Sequence, residues 1–367
     1  MSPSLTLIVA GDPEQFTGGY LYDARIVEAL RRQDWNVEVI GLEGSFPEPD
    51  ETAAQALEEA LARQPDGTRV VIDGLAMGGL PEIVAAHRER LTLTALIHHP
   101  LADETGLDPA QRTRFTLSET LALGAVGRII ATSPYTARRL ADFAVPAERV
   151  AVIEPGVEPA PLARRGADDP TTRQHLLCVA TVIPRKGHDV LLEALSRLRD
   201  RDWQCDCIGA LDRDKDHAAT IADELREQGL EGRIRLLGER SPDALREAYQ
   251  NADLFILPSR YEGYGMVITE ALARGLPVIT TTGGALAHTL PEEAGLSVPP
   301  DDPEALADAL QRWFDDPELR TRLRDGAGKA RSALKDWHAA GQAFAAALLR
   351  EPGDSPDIST RTEASGT

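Results

Sequence analysis

The sequence predicts an α/β protein made of two doubly wound, Rossmann-like domains that face each other across a deep cleft. The length of 367 residues suits two domains of ordinary size. Short runs rich in branched apolar residues alternate with stretches of helical periodicity, as in parallel sheets covered on both faces, and this alternation occurs twice. Residues 154–170, rich in proline, glycine and alanine, separate the two series and are typical of a linker.

The N-terminal series justifies a domain over residues 1–165. Six apolar runs predict strands at residues 5–10, 37–40, 69–72, 92–97, 128–132 and 150–153. The periodic stretches between them predict helices at residues 20–32, 52–63, 81–87, 109–123 and 134–143.

The C-terminal series justifies a second domain over residues 171–332. Strands are predicted at residues 175–180, 203–208, 233–237, 254–257 and 277–280. Helices are predicted at residues 188–198, 218–228, 242–251, 265–273, 303–313 and 317–332. A last helix, within residues 333–350, could pack back towards the N-terminal domain. Residues 351–367 are polar, rich in Ser, Thr, Pro and Asp, and predicted to be disordered.

The charge of the chain argues against partners with a negatively charged surface. The formal net charge is −20, with −9 up to Arg165 and −11 beyond it. Neither half therefore offers a basic field for nucleic acid or anionic lipid, and no strong membrane association is expected. The chain lacks an apolar run long enough to span a bilayer, and its start does not resemble a signal peptide, so a cytoplasmic location is expected.

Two compositional features say little about function. Only four of the 39 basic residues are lysines, and this scarcity fits a salt-rich cytoplasm as well as a GC-rich genome. Cys178, Cys205 and Cys207 lie in apolar runs, so we expect them to be small buried core residues. A Cys-x-Cys pair without a nearby second pair is a poor zinc signal.

The most informative segment, residues 259–279, follows the strand at residues 254–257 and reads SRYEGYGMVITEALARGLPVI. Gly263 and Gly265 bracket Tyr264 in its loop, and glycines let backbone N–H groups approach a ligand closely. A helix begins near Gly265, so the N–H groups of Gly265, Met266 and Val267 would face a phosphate.

Two glutamates flank this predicted phosphate site. Glu262 lies before the turn and Glu270 lies about one and a half turns inside the helix. Carboxylates accept hydrogen bonds from sugar hydroxyls, so one could hold a sugar and the other a ribose. By spacing alone, a solvated surface position for Glu270 is an equally ordinary interpretation.

The spacing Glu262-x7-Glu270 within this segment resembles the signature of retaining glycosyltransferases of family 4, or group 1, which have the GT-B fold. Residues 179–189 (VATVIPRKGHD) resemble the donor-phosphate loop of that family. Residues 282–284 (TGG) resemble its later glycine loop, and residues 16–20 (FTGGY) its N-terminal glycine loop. The resemblance extends to about residue 349.

The resemblance implies roles for individual residues. Glu262 would sit beside the donor sugar, Glu270 would bind the ribose, and Lys186 would contact the diphosphate as a point charge. Gly18 and Gly19 would belong to the N-terminal donor-binding loop.

Two positions depart from the family pattern. Many members have Gly-Arg where this chain has Ala180-Thr181, and the neighbouring Arg185 could replace that arginine at the diphosphate. The later glycine loop also lacks its frequent glutamate and has Ala287 and His288 nearby.

Two adjacent histidines follow the strand at residues 92–97. Adjacent strand residues point to opposite faces, so His98 and His99 cannot easily bind one metal ion. Family members place an active-site histidine near the donor sugar after this strand, and either residue could match. We favour His99, because the residue just after the strand should lean into the cleft.

The resemblance implies a retaining glycosyltransferase that uses a nucleoside-diphosphate sugar, with a UDP-hexose favoured, and forms an α-glycoside. The acceptor, a small molecule or a glycan, is expected to be soluble and to bind between Gly18–Gly19 and His98–His99. Asp212-Arg213-Asp214 imitates the metal motif of another glycosyltransferase fold, but we interpret it as a solvated turn. No cofactor and no metal are expected. A sugar-nucleotide epimerase and a non-catalytic nucleotide-sugar-binding module remain alternatives, and the oligomeric state stays open.

Overall fold

A computed structural model describes residues 2–15, 17–164 and 173–350 of the chain. Phe16 in the predicted N-terminal glycine loop and the tail at residues 351–367 lie outside the described residues, as does part of the predicted linker.

The N-terminal domain is built on a parallel sheet. Its strands are β1 (Ser4–Ala10), β2 (Asn36–Leu42), β3 (Arg69–Asp73), β4 (Thr92–Ile97), β5 (Arg128–Ala131) and β6 (Val150–Val152). Its helices are α1 (Gly18–Arg31), α2 (Glu51–Ala62), α3 (Gly74–Met77), α4 (Pro81–His87), α5 (Pro109–Ala125) and α6 (Pro134–Arg139). The strand order is β2-β1-β3-β4-β5-β6, so the carboxyl ends of β1, β3 and β4 are neighbours.

The C-terminal domain repeats this plan. Its strands are β7 (Gln174–Val179), β8 (Trp203–Ile208), β9 (Ile234–Leu236), β10 (Leu254–Leu257), β11 (Val278–Thr281) and β12 (Gly295–Val298), in the order β12-β11-β10-β7-β8-β9. Its helices are α7 (His188–Ser196), α8 (Lys215–Glu227), α9 (Pro242–Asn251), α10 (Met266–Leu272), α11 (Leu286–Thr289), α12 (Pro303–Asp315) and α13 (Pro317–Ala333). A final helix, α14 (Trp337–Leu349), follows.

Two short α-helices and one strand were not predicted from the sequence. Helices α3 and α11 have four residues each, too few to show periodicity, and β12 begins with a glycine. The predicted helix at residues 134–143 is α-helical only to Arg139 and then tightens into a 3₁₀ turn, Leu140–Phe143. The predicted α1 starts two residues too late, because Gly18 and Gly19 form its first turn.

The central strands are buried on both faces, as parallel strands between helical layers must be. All four residues of β10 are fully buried, and β10 pairs with β7 on one side and β11 on the other. Burial on both faces explains why these strands read as continuous apolar runs.

Helix α14 returns to the N-terminal domain. Its Trp337 and Phe344 join the apolar cluster formed by β1 and α1, where Trp337 packs edge-on against Tyr22 with ring centroids 5.8 Å apart. The backbone N–H of Val157 donates to the carbonyl of Lys335 at 2.9 Å, so the chain crosses between the domains twice along adjacent paths.

The carboxyl ends of the two sheets face each other and touch. A Cβ atom at Gly263 would lie 2.2 Å from the carbonyl oxygen of His98, so a side chain cannot fit there. The hydroxyl of Tyr261 donates to Asp103 at 3.2 Å across the same boundary. Among the described residues, no helix is long and apolar enough to cross a membrane.

Candidate functional site

Glu262 lies at the centre of the cleft, in the loop that joins β10 to α10. Its backbone forms a parallel bridge with Gly284, so the predicted later glycine loop supports it from below. The carboxylate is buried and accepts hydrogen bonds from Lys186 Nζ at 2.5 Å and from Ser259 Oγ at 2.7 Å. Arg185 Nη1 lies 3.3 Å from the second carboxylate oxygen. Two cations therefore compensate one buried carboxylate.

These contacts keep Glu262 ionised. Burial opposes its ionisation, but Lys186 and Arg185 prevail and lower the pKa of Glu262 to about 2. Burial lowers the pKa of Lys186, although Glu262 counteracts this. The carboxylate thus carries its charge throughout the neutral range.

The 3₁₀ turn Pro184–Lys186, which follows β7, positions both cations. The turn ends at Gly187, whose φ of 69° is in the left-handed region, and α7 begins at the next residue. Lys186 and Arg185 are therefore held on a tight connection at the carboxyl end of a central strand, where open α/β sheets bind ligands. The departure at Thr181 lies just before this turn, and Arg185 faces the site.

Arg185 also reaches the N-terminal domain. Its Nε lies 3.3 Å from Glu104 Oε1, and the other oxygen of Glu104 lies 3.2 Å from His99 Nε2. Burial opposes ionisation of Glu104, but His99 and Arg185 lower its pKa to about 2. A continuous network of polar contacts, His99–Glu104–Arg185–Glu262–Lys186, thus crosses the cleft.

The two histidines point in different directions. His98 Nε2 lies 3.1 Å from Asp23 Oδ1 on α1, inside the N-terminal domain, and its ring packs edge-on against Tyr22. His99 instead packs edge-on against Tyr261 of the C-terminal domain, with ring centroids 5.9 Å apart. The structure brings both close to the Glu262 loop, and their assignment to donor or acceptor stays a prediction.

A second carboxylate joins Asp23 beside His98. The ligand atoms of Asp23, Asp73 and His98 all lie within 4.8 Å of one another. Burial raises the pKa of Asp73 to about 6, with His98 opposing and Asp23 adding to the shift. Burial opposes protonation of His98, but Asp23 and Asp73 raise its pKa. The group lies where β1, β3 and β4 end.

Glu270 lies on α10, half-buried, and accepts a hydrogen bond from the hydroxyl of Tyr249 at 2.9 Å. Burial raises its pKa, against the lowering effect of Tyr249 and Arg274. Arg274 donates to the carbonyl of Glu270 and covers the ring of Tyr249. Glu270 is thus held in place rather than free in solvent, and one of its carboxylate oxygens has this partner.

The glycine loop takes up the predicted arrangement. Gly265, with φ of 90°, precedes the helix, and Met266 and Val267 form the first turn of α10. Tyr264 is half-buried between them and Gly263, and its carbonyl accepts from Thr289 at 2.5 Å. On the other side of the cleft, Gly19 touches His98, because a Cβ at Gly19 would lie 3.2 Å from the imidazole, whereas Gly18 borders open space.

Sequence reasoning missed Asp23, Asp73 and Glu104. Asp23 and Asp73 are 75 and 25 residues away from His98 in the chain, so only the strand order brings them together. A signal did exist, because Asp73 ends a predicted strand, where ligand-binding side chains collect. Asp214, by contrast, caps α8 by accepting from the N–H of His217, and neighbouring Arg213 donates to Gln15 at 3.3 Å.

The cysteines form a second group that the sequence did not reveal. Cys178, Cys205 and Cys207 are buried, as expected, and Cys178 pairs with Cys207 across β7 and β8. His188 joins them, with its Nε2 3.9 Å from Cys178 Sγ. This group lies in the core beneath the turn that carries Lys186.

Two family models match the chain. Residues 22–160 match the model described as Glycosyltransferase Family 4, and residues 162–330 match Glycosyl transferases group 1. The boundary between the two matches falls within the predicted linker.

Several of the similar curated proteins are named as glycosyltransferases. A D-inositol 3-phosphate glycosyltransferase of Corynebacterium glutamicum is 36% identical over 199 residues, which cover 49% of this chain and 47% of the relative. An MMP alpha-(1->4)-mannosyltransferase of Mycolicibacterium hassiacum is 26% identical and matches 80% of this chain and 72% of its own length. The chain spans 47–60% of the length of the inositol-phosphate enzymes that it matches.

Solved structures confirm the predicted fold. Sucrose-phosphate synthase from Thermosynechococcus elongatus superposes with a TM-score of 0.78 at 23% identity, covering 94% of this chain and 98% of the other. Anabaena HepE in complex with UDP and glucose superposes with a TM-score of 0.74 at 18% identity, covering 94% and 99%. At these identities the likeness concerns the GT-B fold.

Proposed function

Since this chain belongs to the group 1 glycosyltransferases of family 4, we propose that it is a retaining enzyme that moves a sugar from a nucleoside-diphosphate sugar to an acceptor. The donor binds mainly to the C-terminal domain and the acceptor mainly to the N-terminal domain. The observation that carries the proposal is the pairing of Lys186 and Arg185 with buried Glu262, directly opposite His98 and His99.

The charges of this site suit a diphosphate. Lys186 and Arg185 are neighbouring cations after the carboxyl end of β7. Both belong to the 3₁₀ turn Pro184–Lys186, which fixes the position of their backbone. Without a donor, Glu262 and Glu104 are their partners. The diphosphate takes over contacts with these cations, which then stabilise the charge that develops on the leaving group.

Glu262 acts at the sugar. Its buried carboxylate remains ionised, so it accepts hydrogen bonds from sugar hydroxyls next to the bond that breaks. Glu270 lies deeper along the loop and helix, and its carboxylate receives the ribose hydroxyls. Contact between the domains at Gly263 and His98 keeps water away from the reacting bond.

A UDP-hexose is the favoured donor, and the acceptor is proposed to be soluble. The structural relative HepE, described in complex with UDP and glucose, supports the choice of donor. Several curated relatives are named for phosphorylated acceptors or products, such as inositol 3-phosphate and mannosylfructose phosphate. The net charge of −20 supports an acceptor that is not embedded in an anionic membrane.

Thermal shift with UDP-, GDP- and ADP-sugars tests donor binding. A ligand at 100 times its dissociation constant should stabilise the protein by about 2.7 kcal/mol. The expected result is a shift with a nucleotide sugar that disappears in Lys186→Ala. Absence of a shift with every sugar nucleotide would contradict the proposal.

Transfer itself is tested by release of nucleoside diphosphate in proportion to added acceptor. An epimerase would convert the donor without a separate acceptor, and a binding module would release no diphosphate. The anomeric configuration of the product, read by proton NMR, tests retention. A β-glycoside formed from an α-linked donor would overturn it.

A further inference from the structure

A group of polar side chains lies at the carboxyl ends of β1, β3 and β4, beside the proposed donor site. Asp73 ends β3, His98 follows β4, and Asp23 projects from α1 after the turn containing Gly18 and Gly19. Asp23 and Asp73 are 4% and 6% exposed, so both carboxylates are withdrawn from bulk water. We call this group the Asp23–Asp73–His98 pocket.

The pocket contains a carboxylate oxygen that receives no hydrogen bond from the described residues. Asp23 Oδ1 contacts His98, whereas Asp23 Oδ2 is buried and has no hydrogen-bond partner among the described residues. Asp73 accepts one hydrogen bond, from the N–H of Leu75 at 2.9 Å. A buried carboxylate oxygen without a partner is costly, and a ligand that donates a hydrogen bond removes this cost.

His98 is the partly exposed member of this group. Its side chain is 18% exposed, and among the described residues a Cβ atom at Gly18 would meet no atom within 4 Å. The same cleft contains Glu262 across the domain boundary, because the carbonyl of His98 touches Gly263. A group seated in the pocket would therefore lie next to the donor sugar.

The charges of the pocket disfavour a phosphate. Among the described residues, His98 is the member of this group that can carry a positive charge, and Asp23 lies 3.1 Å from its Nε2. Asp73 then adds a further negative charge close by. A phosphate group offers mainly acceptor oxygens and would face two carboxylates, whereas hydroxyl and ammonium groups offer hydrogens.

We infer that the acceptor presents hydroxyl or ammonium hydrogens, and not a phosphate group, to the Asp23–Asp73–His98 pocket. The inference rests on the proposed function and specifies the acceptor class of the same site. Asp23 and Asp73 then determine specificity, because their carboxylates accept hydrogen bonds from the hydroxyl or ammonium groups of the acceptor substrate.

Arg213 is a cation at the edge of the pocket that a phosphate group could contact. Its guanidinium donates to Gln15 at 3.3 Å, near the hydroxyl of Tyr20 at the edge of the pocket. Arg213 belongs to the C-terminal domain and is exposed, so it lies outside the group of buried carboxylates. An Arg213→Ala variant therefore separates a phosphate contact at the edge from recognition inside the pocket.

The test uses matched probes on the full chain saturated with UDP. Glucose, glucosamine and glucose 6-phosphate form one set, and myo-inositol and its 1-phosphate form another. Saturation-transfer NMR titrations give the affinity of each probe. We expect the neutral or amino member to bind at least tenfold more tightly than its phosphate ester. Equal affinities, a preference for the phosphate ester, or no binding by any member overturns the inference.

Two variants locate the preference. Asp23→Asn and Asp73→Asn should each reduce the ratio of neutral to phosphorylated affinity at least tenfold. Asp243→Asn, which alters an exposed aspartate paired with Arg246 on α9, should leave the ratio unchanged. Thermal unfolding shows whether each variant folds. If one of the two does not, the affinity ratio of the other variant tests the inference. An unchanged affinity ratio in a folded Asp23→Asn or Asp73→Asn variant overturns the inference. The inference is also overturned if the wild-type protein prefers the phosphate esters and Arg213→Ala abolishes that preference.

The proposed function fails in a different way. In that case no nucleotide sugar stabilises the wild-type protein in thermal shift, whichever probe binds. If nucleotide sugars bind but phosphate esters are preferred, the proposed function stands and this inference alone is wrong.

Discussion

At the scale of single residues, Glu262 combines burial with full charge because it has two cationic partners. Removal of either cation would leave a buried carboxylate partly uncompensated, which is among the most unfavourable changes in a protein interior. The site therefore holds its charges in a fixed arrangement before the donor arrives. Such preorganisation is what an enzyme needs where charge develops on a leaving group.

Glu262→Gln and Glu270→Gln should have different kinetic effects. The proposed contacts of Glu262 with the sugar would matter most as the bond breaks, so Glu262→Gln should mainly lower kcat, by about tenfold or more. The proposed contacts of Glu270 with ribose would be similar in ground and transition states. Glu270→Gln should therefore mainly raise the donor KM, by about tenfold, or ~1.4 kcal/mol.

Affinity for the free nucleoside diphosphate is the control for this pair. Glu262→Gln should bind it at least as tightly as wild type, because Lys186 loses a competing partner. Glu270→Gln should bind it more weakly. Isothermal titration measures both values, and the reverse pattern, or full activity in Glu262→Gln, would show that the two roles are misassigned.

Glu119 should make stability depend on pH. Its buried carboxylate accepts from the N–H groups of Leu101 and Ala102, which belong to the loop after His98 and His99. Burial raises its pKa from 4.5 to about 7 despite these hydrogen bonds. Because the folded-state pKa is raised, the stabilising contribution is complete below the unfolded-state value and is lost as pH rises through about 7.

The free energy of unfolding of wild type, relative to Glu119→Gln, should therefore fall between pH 5 and pH 8. The upper limit of this change is about 3 kcal/mol. Urea unfolding at several pH values measures it. A difference that is constant over this range would mean that the Glu119 carboxyl group does not titrate as its burial implies.

At the scale of elements, the contact between α14 and α1 depends on a residue without a side chain. A Cβ atom at Gly341 of α14 would lie 2.5 Å from the Cβ of Ala29 on α1. Ala29 is a short, buried residue and cannot move aside as a flexible side chain would. The close approach lets α14 bury Phe344 against the N-terminal domain.

Gly341→Ala should destabilise the protein, although alanine is the better helix former. Overpacking of this kind costs about 1–3 kcal/mol. Gly328→Ala is the matched control, since Gly328 lies in α13 and a Cβ atom there would meet nothing within 4 Å. It should stabilise by about 0.5–1 kcal/mol. Urea midpoints compare the two, and equal effects would show that α14 does not pack closely.

At the scale of the whole molecule, two domains contribute charge to one cleft. From Glu104 through Arg185 and Glu262 to Lys186, the charges alternate in sign across the boundary. Such an arrangement holds the domains together at the proposed site of transfer. It also places two cations, Lys186 and Arg185, at the proposed diphosphate position.

Transfer should therefore not require a divalent cation. Excess chelator should leave the rate within about tenfold of the untreated rate, because Lys186 and Arg185 supply the positive charge at the diphosphate. Initial rates with and without chelator measure the effect. A greater loss that Mn²⁺ or Mg²⁺ restores would contradict metal independence and direct attention to the Asp23–Asp73–His98 pocket.

The sequence by itself determined the succession of strands and helices, and it singled out residues 262–270 as a candidate donor loop. Apolar periodicity is a local property, so β10 and α10 could be predicted with little error in their bounds. The glycines and glutamates at residues 262–270 follow one another in the chain, and their resemblance to a family signature, rather than their spacing alone, singled them out. The sequence did not predict α3, α11 and β12, because these elements are too short to show a periodic pattern.

Only the tertiary structure decided which distant residues share a site. Asp23, Asp73 and His98 come from three separate segments, and they meet because parallel strands β1, β3 and β4 end at one edge of the sheet. The ionisation of Glu262 and Asp73 depends on burial and on neighbours that no local pattern contains. For the same reason the sequence could only favour His99 over His98 as the residue that faces the cleft, whereas packing directs His98 towards Asp23 and His99 towards Glu104.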